Sequence, residues 1–167
     1  MKRGIIFSIL IVFAIFVIHL NQIESKETFQ TIPDEAIRLR ILANSDSEYD
    51  QKLKHHVRDE VNAYITELVQ HIDNIEEGRR TIAASVPEIK KIVEQTLSEE
   101  DSMYSYTVEY RSDVTFPTKV YDNFVYPAGE YEAVLITIGE GKGANWWCVL
   151  FPPLCFLDFS NGTTVES

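Results

Sequence analysis

Two cysteines are the residues most able to do chemistry, and Cys148 and Cys155 lie close together in the segment WWCVLFPPLC. A disulfide between them is feasible, because the proline pair between the sulfurs can reverse the chain. The alternative is two free thiols that pack as small hydrophobic side chains. A metal centre is not expected, since a zinc site needs further ligands that this segment lacks. We favour the disulfide and predict no metal and no cofactor.

Histidines and glycines give no sign of an active site. His55 and His56 are adjacent, so on a helix their side chains diverge by about 100°, and His71 lies about four turns beyond. No HExxH motif and no GxSxG elbow occur. The glycine-rich segment Gly139–Gly143 lacks the spacing of a phosphate-binding loop, and we interpret it as a hairpin turn. We therefore predict that the protein is not an enzyme.

The two tryptophans of the chain, Trp146 and Trp147, are adjacent. On a strand, neighbouring side chains point to opposite faces. One tryptophan can therefore fill the core while the other covers a helix or binds a partner, since Trp is enriched at binding hot spots. The alternative is that both lie buried between helices and sheet. The predicted partner-binding residues are Trp146, Trp147, Pro152 and Pro153, with Asn44 and Asp46 as a second patch.

Charge and length limit the class of protein. The 167 residues carry 15 Lys and Arg against 26 Asp and Glu, a formal net charge of −11. Nucleic acids and anionic lipid surfaces are therefore unsuitable partners. The length allows one domain of ordinary size.

The N-terminus has the pattern of an export signal. Lys2 and Arg3 precede an apolar run over 4–20, so the remainder is expected outside the cytoplasm. The cleavage site at Ser25 is poor, and both a cleaved signal peptide and a retained anchor remain open. We divide the chain into a signal or anchor (1–25), a linker (26–35), one extracytoplasmic domain (36–158) and a C-terminal tail (159–167).

The first half of the domain shows one strand and a helical region. Ala36–Ala43 alternates, which predicts a half-buried strand with Arg38 and Arg40 pointing away from the core. Ser45–Glu48 has capping-box spacing and opens a helix predicted over Ser47–Ile72. A second apolar stripe contains Pro87, and either one kinked helix or two short helices would satisfy it.

The second half alternates with the period of strands. The predicted strands are Tyr104–Arg111, a short edge strand within Val120–Val125, Tyr131–Ile138 and Trp146–Phe151. The fold class is therefore α+β, with two or three helices packed on a mainly antiparallel sheet.

Several segments resemble the stage II sporulation protein R family of endospore-forming bacteria. The matching segments are RILANSDS (40–47), Leu53–Lys54 with Val57–Asp59, FPTKVY (116–121), PAGEY (127–131), and IGEG (138–141) through NWWCVLFPPLC (145–155). The resemblance covers about Ile37 to Asp158. The last block is long and unusual in composition, which makes it the most distinctive.

The resemblance implies a signalling role. Family members are exported from the forespore into the space between the two septal membranes. There they are thought to activate a membrane-embedded aspartic protease of the mother cell, which processes a sigma-factor precursor. We expect this chain to act in the same way, by binding. The alternatives are an extracytoplasmic cysteine-dependent hydrolase and a structural septal protein.

Overall fold

The computed structural model describes residues 30–31, 35–121, 124–155 and 163–164. The predicted signal or anchor over 1–25, most of the linker and most of the tail lie outside these residues. Within the described ranges, no helix combines the length and the apolar character needed to cross a bilayer.

Two helices and eight strands make up the described chain. In chain order they are β1 (Gln30–Thr31), β2 (Ile37–Leu42), α1 (Glu48–Val69), α2 (Ile75–Glu99), β3 (Tyr106–Phe116), β4 (Lys119–Tyr121), β5 (Phe124–Tyr126), β6 (Gly129–Ile138), β7 (Asn145–Phe151) and β8 (Thr163–Thr164). A main sheet has the order β3-β6-β2-β7, and a small sheet has the order β1-β5-β4-β8.

The main sheet is mixed and mostly antiparallel, with both helices packed against it. Strands β3 and β6 pair antiparallel, as do β2 and β7, whereas β2 and β6 pair parallel. The α+β class is confirmed. The hairpin interpretation of Gly139–Gly143 is wrong, because β2 lies between β6 and β7. The segment crosses the end of β2 instead.

The helix boundaries follow from capping side chains. Ser47 caps α1 by accepting a hydrogen bond from the Asp50 N–H, and Asn74 caps α2 in the same way through Glu77. The predicted capping box at Ser45–Glu48 is therefore placed two residues too early. The second helical region is one helix, with Pro87 in its interior.

The core lies between the helices and one face of the main sheet. Ile37, Leu39 and Ile41 of β2 are fully buried there with the apolar stripes of α1 and α2. The prediction of a half-buried β2 is wrong for Arg38, whose side chain is 0% exposed. Its guanidinium carbon lies 3.9 Å from the ring centroid of Phe116 and 4.6 Å from that of Tyr131. Aromatic side chains therefore cover this part of the second face.

The prediction for Val120–Val125 is confirmed for strand but wrong for a single edge strand, because two strands share the segment and neither lies at an edge of the small sheet. Strands β4 and β5 pair antiparallel with each other in the small sheet. Tyr126 of β5 is fully buried and clusters with Ala36 and Val149 of the main-sheet region. The small sheet thus contributes to covering the face of β2 that carries Arg38.

Candidate functional site

The tryptophan pair lies on β7, which ends the main sheet in the part of the chain that the structure describes. Trp146 points to the helix side and is half-buried. The guanidinium carbon of Arg58 lies 4.2 Å from the Trp146 ring centroid. The His55 ring meets it edge-on at 5.6 Å. Trp146 therefore covers α1, one of the two roles that the sequence left open.

Trp147 points to the opposite face of the sheet and is also half-buried. It contacts Phe116 with ring centroids 5.0 Å apart, and the Arg40 guanidinium carbon lies 4.5 Å from its ring. The Arg40 Nε donates to the Asn145 side-chain oxygen over 3.0 Å. Burial lowers the pKa of Arg40. Trp147, Phe116 and Arg40 therefore form an aromatic and cationic surface at the edge of the sheet.

A disulfide joins Cys148 and Cys155 and closes the end of β7. The Leu154 N–H donates to the Val149 carbonyl over 3.2 Å, which holds the closed loop against the strand. Pro152 and Pro153 form the half-buried turn of this loop. The predicted disulfide is confirmed, and the alternative of two free thiols is wrong. Both sulfurs are bonded, so neither is available as a thiolate nucleophile.

Asn44 and Asp46, predicted as a second patch, contact the glycine loop, which we define as Gly139–Ala144. The Asn44 side-chain oxygen accepts from the Glu140 N–H over 3.0 Å, and Asp46 accepts from the Ala144 N–H over 2.7 Å. The Lys142 N–H also donates to the Asn44 carbonyl. These two side chains therefore position the loop that leads into β7. Their role in binding a partner stays a prediction.

Asp50 and Lys54 of α1 complete this network, which we call the polar clamp (Asn44, Asp46, Asp50 and Lys54). Both are buried, with 3% of each side chain exposed. The Lys54 ammonium donates to the Ala144 carbonyl over 3.0 Å, and burial lowers its pKa. Asp50 accepts from the Ser45 hydroxyl over 2.5 Å and from the Asn44 amide over 3.0 Å.

The charge of Asp50 is maintained by these hydrogen bonds. Burial alone would raise its pKa, but donors led by Ser45 and Asn44 outweigh that effect and lower the pKa. Sequence reasoning missed Asp50 and Lys54. The available signal was their spacing, because positions 50, 54, 57 and 61 fall on one helix face. Polar residues on a buried stripe indicate a specific polar contact.

A second cluster of titratable residues joins α2 to β3 and β6. The Glu132 carboxylate accepts from the Arg79 Nε over 2.7 Å and from the Tyr110 hydroxyl over 2.5 Å. Burial, followed by the hydrogen bond to Glu132, raises the pKa of Tyr110.

The His56 Nδ1 pairs with Glu100 over 2.7 Å at the outer surface. His55 contacts Trp146, as described above. Over the described ranges, no group of three or more His, Cys, Asp or Glu side chains is arranged to hold a metal ion.

Fold and site together define a small α+β domain with a disulfide, whose most distinctive surface is an end strand with adjacent tryptophans. The family model described as stage II sporulation protein R matches residues 33–161. The chain belongs to this family, which confirms the resemblance.

A curated relative gives the same assignment. Stage II sporulation protein R of Bacillus subtilis (strain 168) is 62% identical over 135 residues, which cover 81% of this chain and 60% of the relative. The chain thus spans about 60% of the length of that relative. No solved structure matches the chain. Neither name refers to an enzymatic activity.

Proposed function

We propose that this protein is an exported signalling protein of sporulation that works by binding. Its partner is a membrane-embedded aspartic protease, and the result is proteolytic processing of the mother-cell sigma-factor precursor. The place of action is the space between the forespore and mother-cell membranes. Membership of the sporulation family supports this proposal.

The observation that carries a binding role is the position of Trp147. The Trp147 side chain is half-buried. The Arg40 guanidinium lies over its ring, and the Phe116 ring contacts it edge-on. A rigid aromatic side chain loses little conformational entropy when a partner covers it, which is typical of binding hot spots. The disulfide and the polar clamp fix the two ends of the strand that presents it.

An activator of this kind must prefer the active state of its receptor. The shift in the receptor's equilibrium equals the difference between its affinities for the two states. Losing one hot-spot side chain costs about 2 kcal/mol or more of binding free energy, which is more than tenfold in affinity.

Reconstitution in a non-sporulating bacterial host tests the proposal. The sigma precursor and the protease are expressed with and without this chain, and processing is followed by immunoblot. We expect processing to depend on the chain and on its N-terminal segment. Processing without the chain, or none with it, contradicts the proposed activation.

Two variants test the surface in the same assay. Trp147→Ala should accumulate normally yet reduce processing at least tenfold. Glu67→Gln is a control, because Glu67 is exposed on α1, on the opposite side of the main sheet from Trp147. Normal processing by Trp147→Ala would exclude this surface while leaving activation itself intact.

The cysteine-dependent hydrolase receives no support from the site. A cysteine nucleophile requires a free thiolate, and Cys148 and Cys155 are bonded to each other. The structural septal protein makes a different prediction, since it would require a retained anchor and abundance comparable to that of other septal components.

A further inference from the structure

Two large hydrophobic side chains stand exposed in the described part of the chain, and they lie at the same corner. Met103 is 98% exposed and Tyr49 is 45% exposed. The Tyr49 hydroxyl donates to the Glu100 carbonyl over 3.0 Å, which places its ring beside the turn that carries Met103. This corner is distinct from the Trp147 surface, which lies on the opposite face of the sheet from the helices.

A cleft of about 400 Å³ opens beside Met103, between the end of α2 and the start of β3. Leu97, Met103, Tyr104 and Tyr106 give it an apolar lining, and Glu94 and Asp101 add carboxylates. Burial, followed by the charge of Glu94, raises the pKa of Tyr106. The cleft therefore combines apolar walls with negative charge.

The charges around the cleft are predominantly negative. Helix α2 has no basic residue in its last turn, and the chain there reads Glu99-Glu100-Asp101. Carboxylates at a helix C-terminus face the negative end of the helix dipole. A cation brought by a partner would be attracted to these carboxylates, so the charge of the cleft favours a positively charged partner.

We propose that the cleft beside Met103 is a docking site for a basic protein segment with an apolar side chain flanked by Lys or Arg. The apolar side chain enters the cleft against Leu97 and Met103, while the cations approach Glu94 and Asp101. Nucleic acid and anionic lipid would be repelled. A second copy is disfavoured by the net charge of −11. The proposal is independent of protease activation.

Fluorescence anisotropy of labelled probe peptides on the full chain tests this. One probe alternates Lys with Leu, and its matched partner carries Gln in place of every Lys. We expect the Lys probe to bind at least ten times more tightly than the Gln probe. Met103→Ser should weaken its binding about tenfold, since removing an anchor side chain costs on that order.

Asp101→Asn gives the sharpest variant. Asp101 has a φ of 53°, a left-handed conformation that Asn tolerates well. We expect about threefold weaker binding of the Lys probe together with a thermal midpoint that is unchanged or higher. An unchanged or higher thermal midpoint would show that the weaker binding is not caused by unfolding of the variant. Glu109→Gln, which removes one exposed charge from β3 outside the cleft, should leave binding unchanged.

The outcomes that overturn the proposal are distinct from one another. Equal losses with Glu109→Gln and Asp101→Asn would show attraction to the overall negative charge. Equal binding of both probes would show an apolar site without charge selection. No binding of either probe, or self-association that Met103→Ser abolishes, would likewise overturn it.

Discussion

The side-chain oxygen of Asn44 lies 3.0 Å from the amide nitrogen of Glu140, although 96 residues separate them in the chain. The same side chain donates to Asp50 of α1 through its amide nitrogen over 3.0 Å. Asn44 therefore links the end of β2 and the start of α1 to the glycine loop. That loop leads directly into β7 and its two tryptophans.

Asn44→Ala should destabilise the fold by about 1–3 kcal/mol, because the Glu140 N–H loses its side-chain acceptor and the buried Asp50 carboxylate loses one of its donors. Urea denaturation followed by circular dichroism measures this. Asn44→Asp keeps the acceptor for Glu140 but places a second carboxylate beside Asp50. Its cost should therefore be larger at pH 7 than at pH 4, where protonation relieves the repulsion. If Asn44→Asp lowers the stability equally at pH 7 and pH 4, the contact between residue 44 and the Asp50 carboxylate is contradicted.

Gly139→Ala should also destabilise the protein, because Gly139 has a φ of 57°. The left-handed conformation costs a residue with a β-carbon about 1–2 kcal/mol, and that carbon would collide with the Asn44 side chain. A double-mutant cycle with Asn44→Ala measures the collision. The loss in the double variant should be smaller than the sum of the single losses, whereas simple additivity would exclude the contact.

Removing the disulfide should lower the free energy of unfolding by about 2–3 kcal/mol, since the sulfurs close a short loop with a sequence separation of 7. The variant is Cys148→Ala with Cys155→Ala, measured by guanidinium denaturation. A reductant should lower the stability of the wild type toward that of the double variant and leave the variant unchanged. If the reductant does not change the free energy of unfolding of the wild-type protein, the disulfide between Cys148 and Cys155 is contradicted.

Acid should weaken the fold partly through Asp50. Its pKa is lowered below the ordinary value of 3.8, because hydrogen bonds led by those from Ser45 and Asn44 outweigh the effect of burial. The unfolded chain then binds the proton more readily than the native protein. The stabilisation is therefore present above about pH 4 and is lost as the pH falls through the lower native pKa.

Asp50→Asn isolates this contribution. The difference in urea midpoint between wild type and variant should be large at pH 6 and should narrow at pH 3. Asp113→Asn is a useful control, because the Asp113 carboxylate is exposed on β3 and pairs with Arg111 at the surface, where ion pairs contribute little. If the difference in urea midpoint between wild type and Asp50→Asn is the same at pH 6 and pH 3, the negative charge of Asp50 does not stabilise the fold.

Local patterns in the sequence determined most of the secondary structure. The apolar stripe of α1, the alternation of β3 around Tyr106–Tyr110 and the β-branched run of β6 each reflect the period of one element. The spacing of Cys148 and Cys155 likewise supported a disulfide, because the turn between them is short and local.

Strand order required the tertiary structure. Gly139–Gly143 has the composition of a hairpin turn, yet β2 is inserted between the strands that it connects. Strand β2 is separated from both neighbours by a long stretch of chain, so no local pattern specifies its pairing. The Asn44 and Asp46 side chains show the same limit, since their backbone partners lie in that loop.

Arg38 and Arg40 show the limit most clearly. They occupy equivalent positions of one alternating pattern, so the sequence by itself determined only that they share the face opposite Ile37, Leu39 and Ile41. The tertiary structure buries Arg38 completely among aromatic rings and leaves Arg40 half-buried beside Trp147. Burial depends on which distant segments pack over each residue, and that information is not contained in the local alternation.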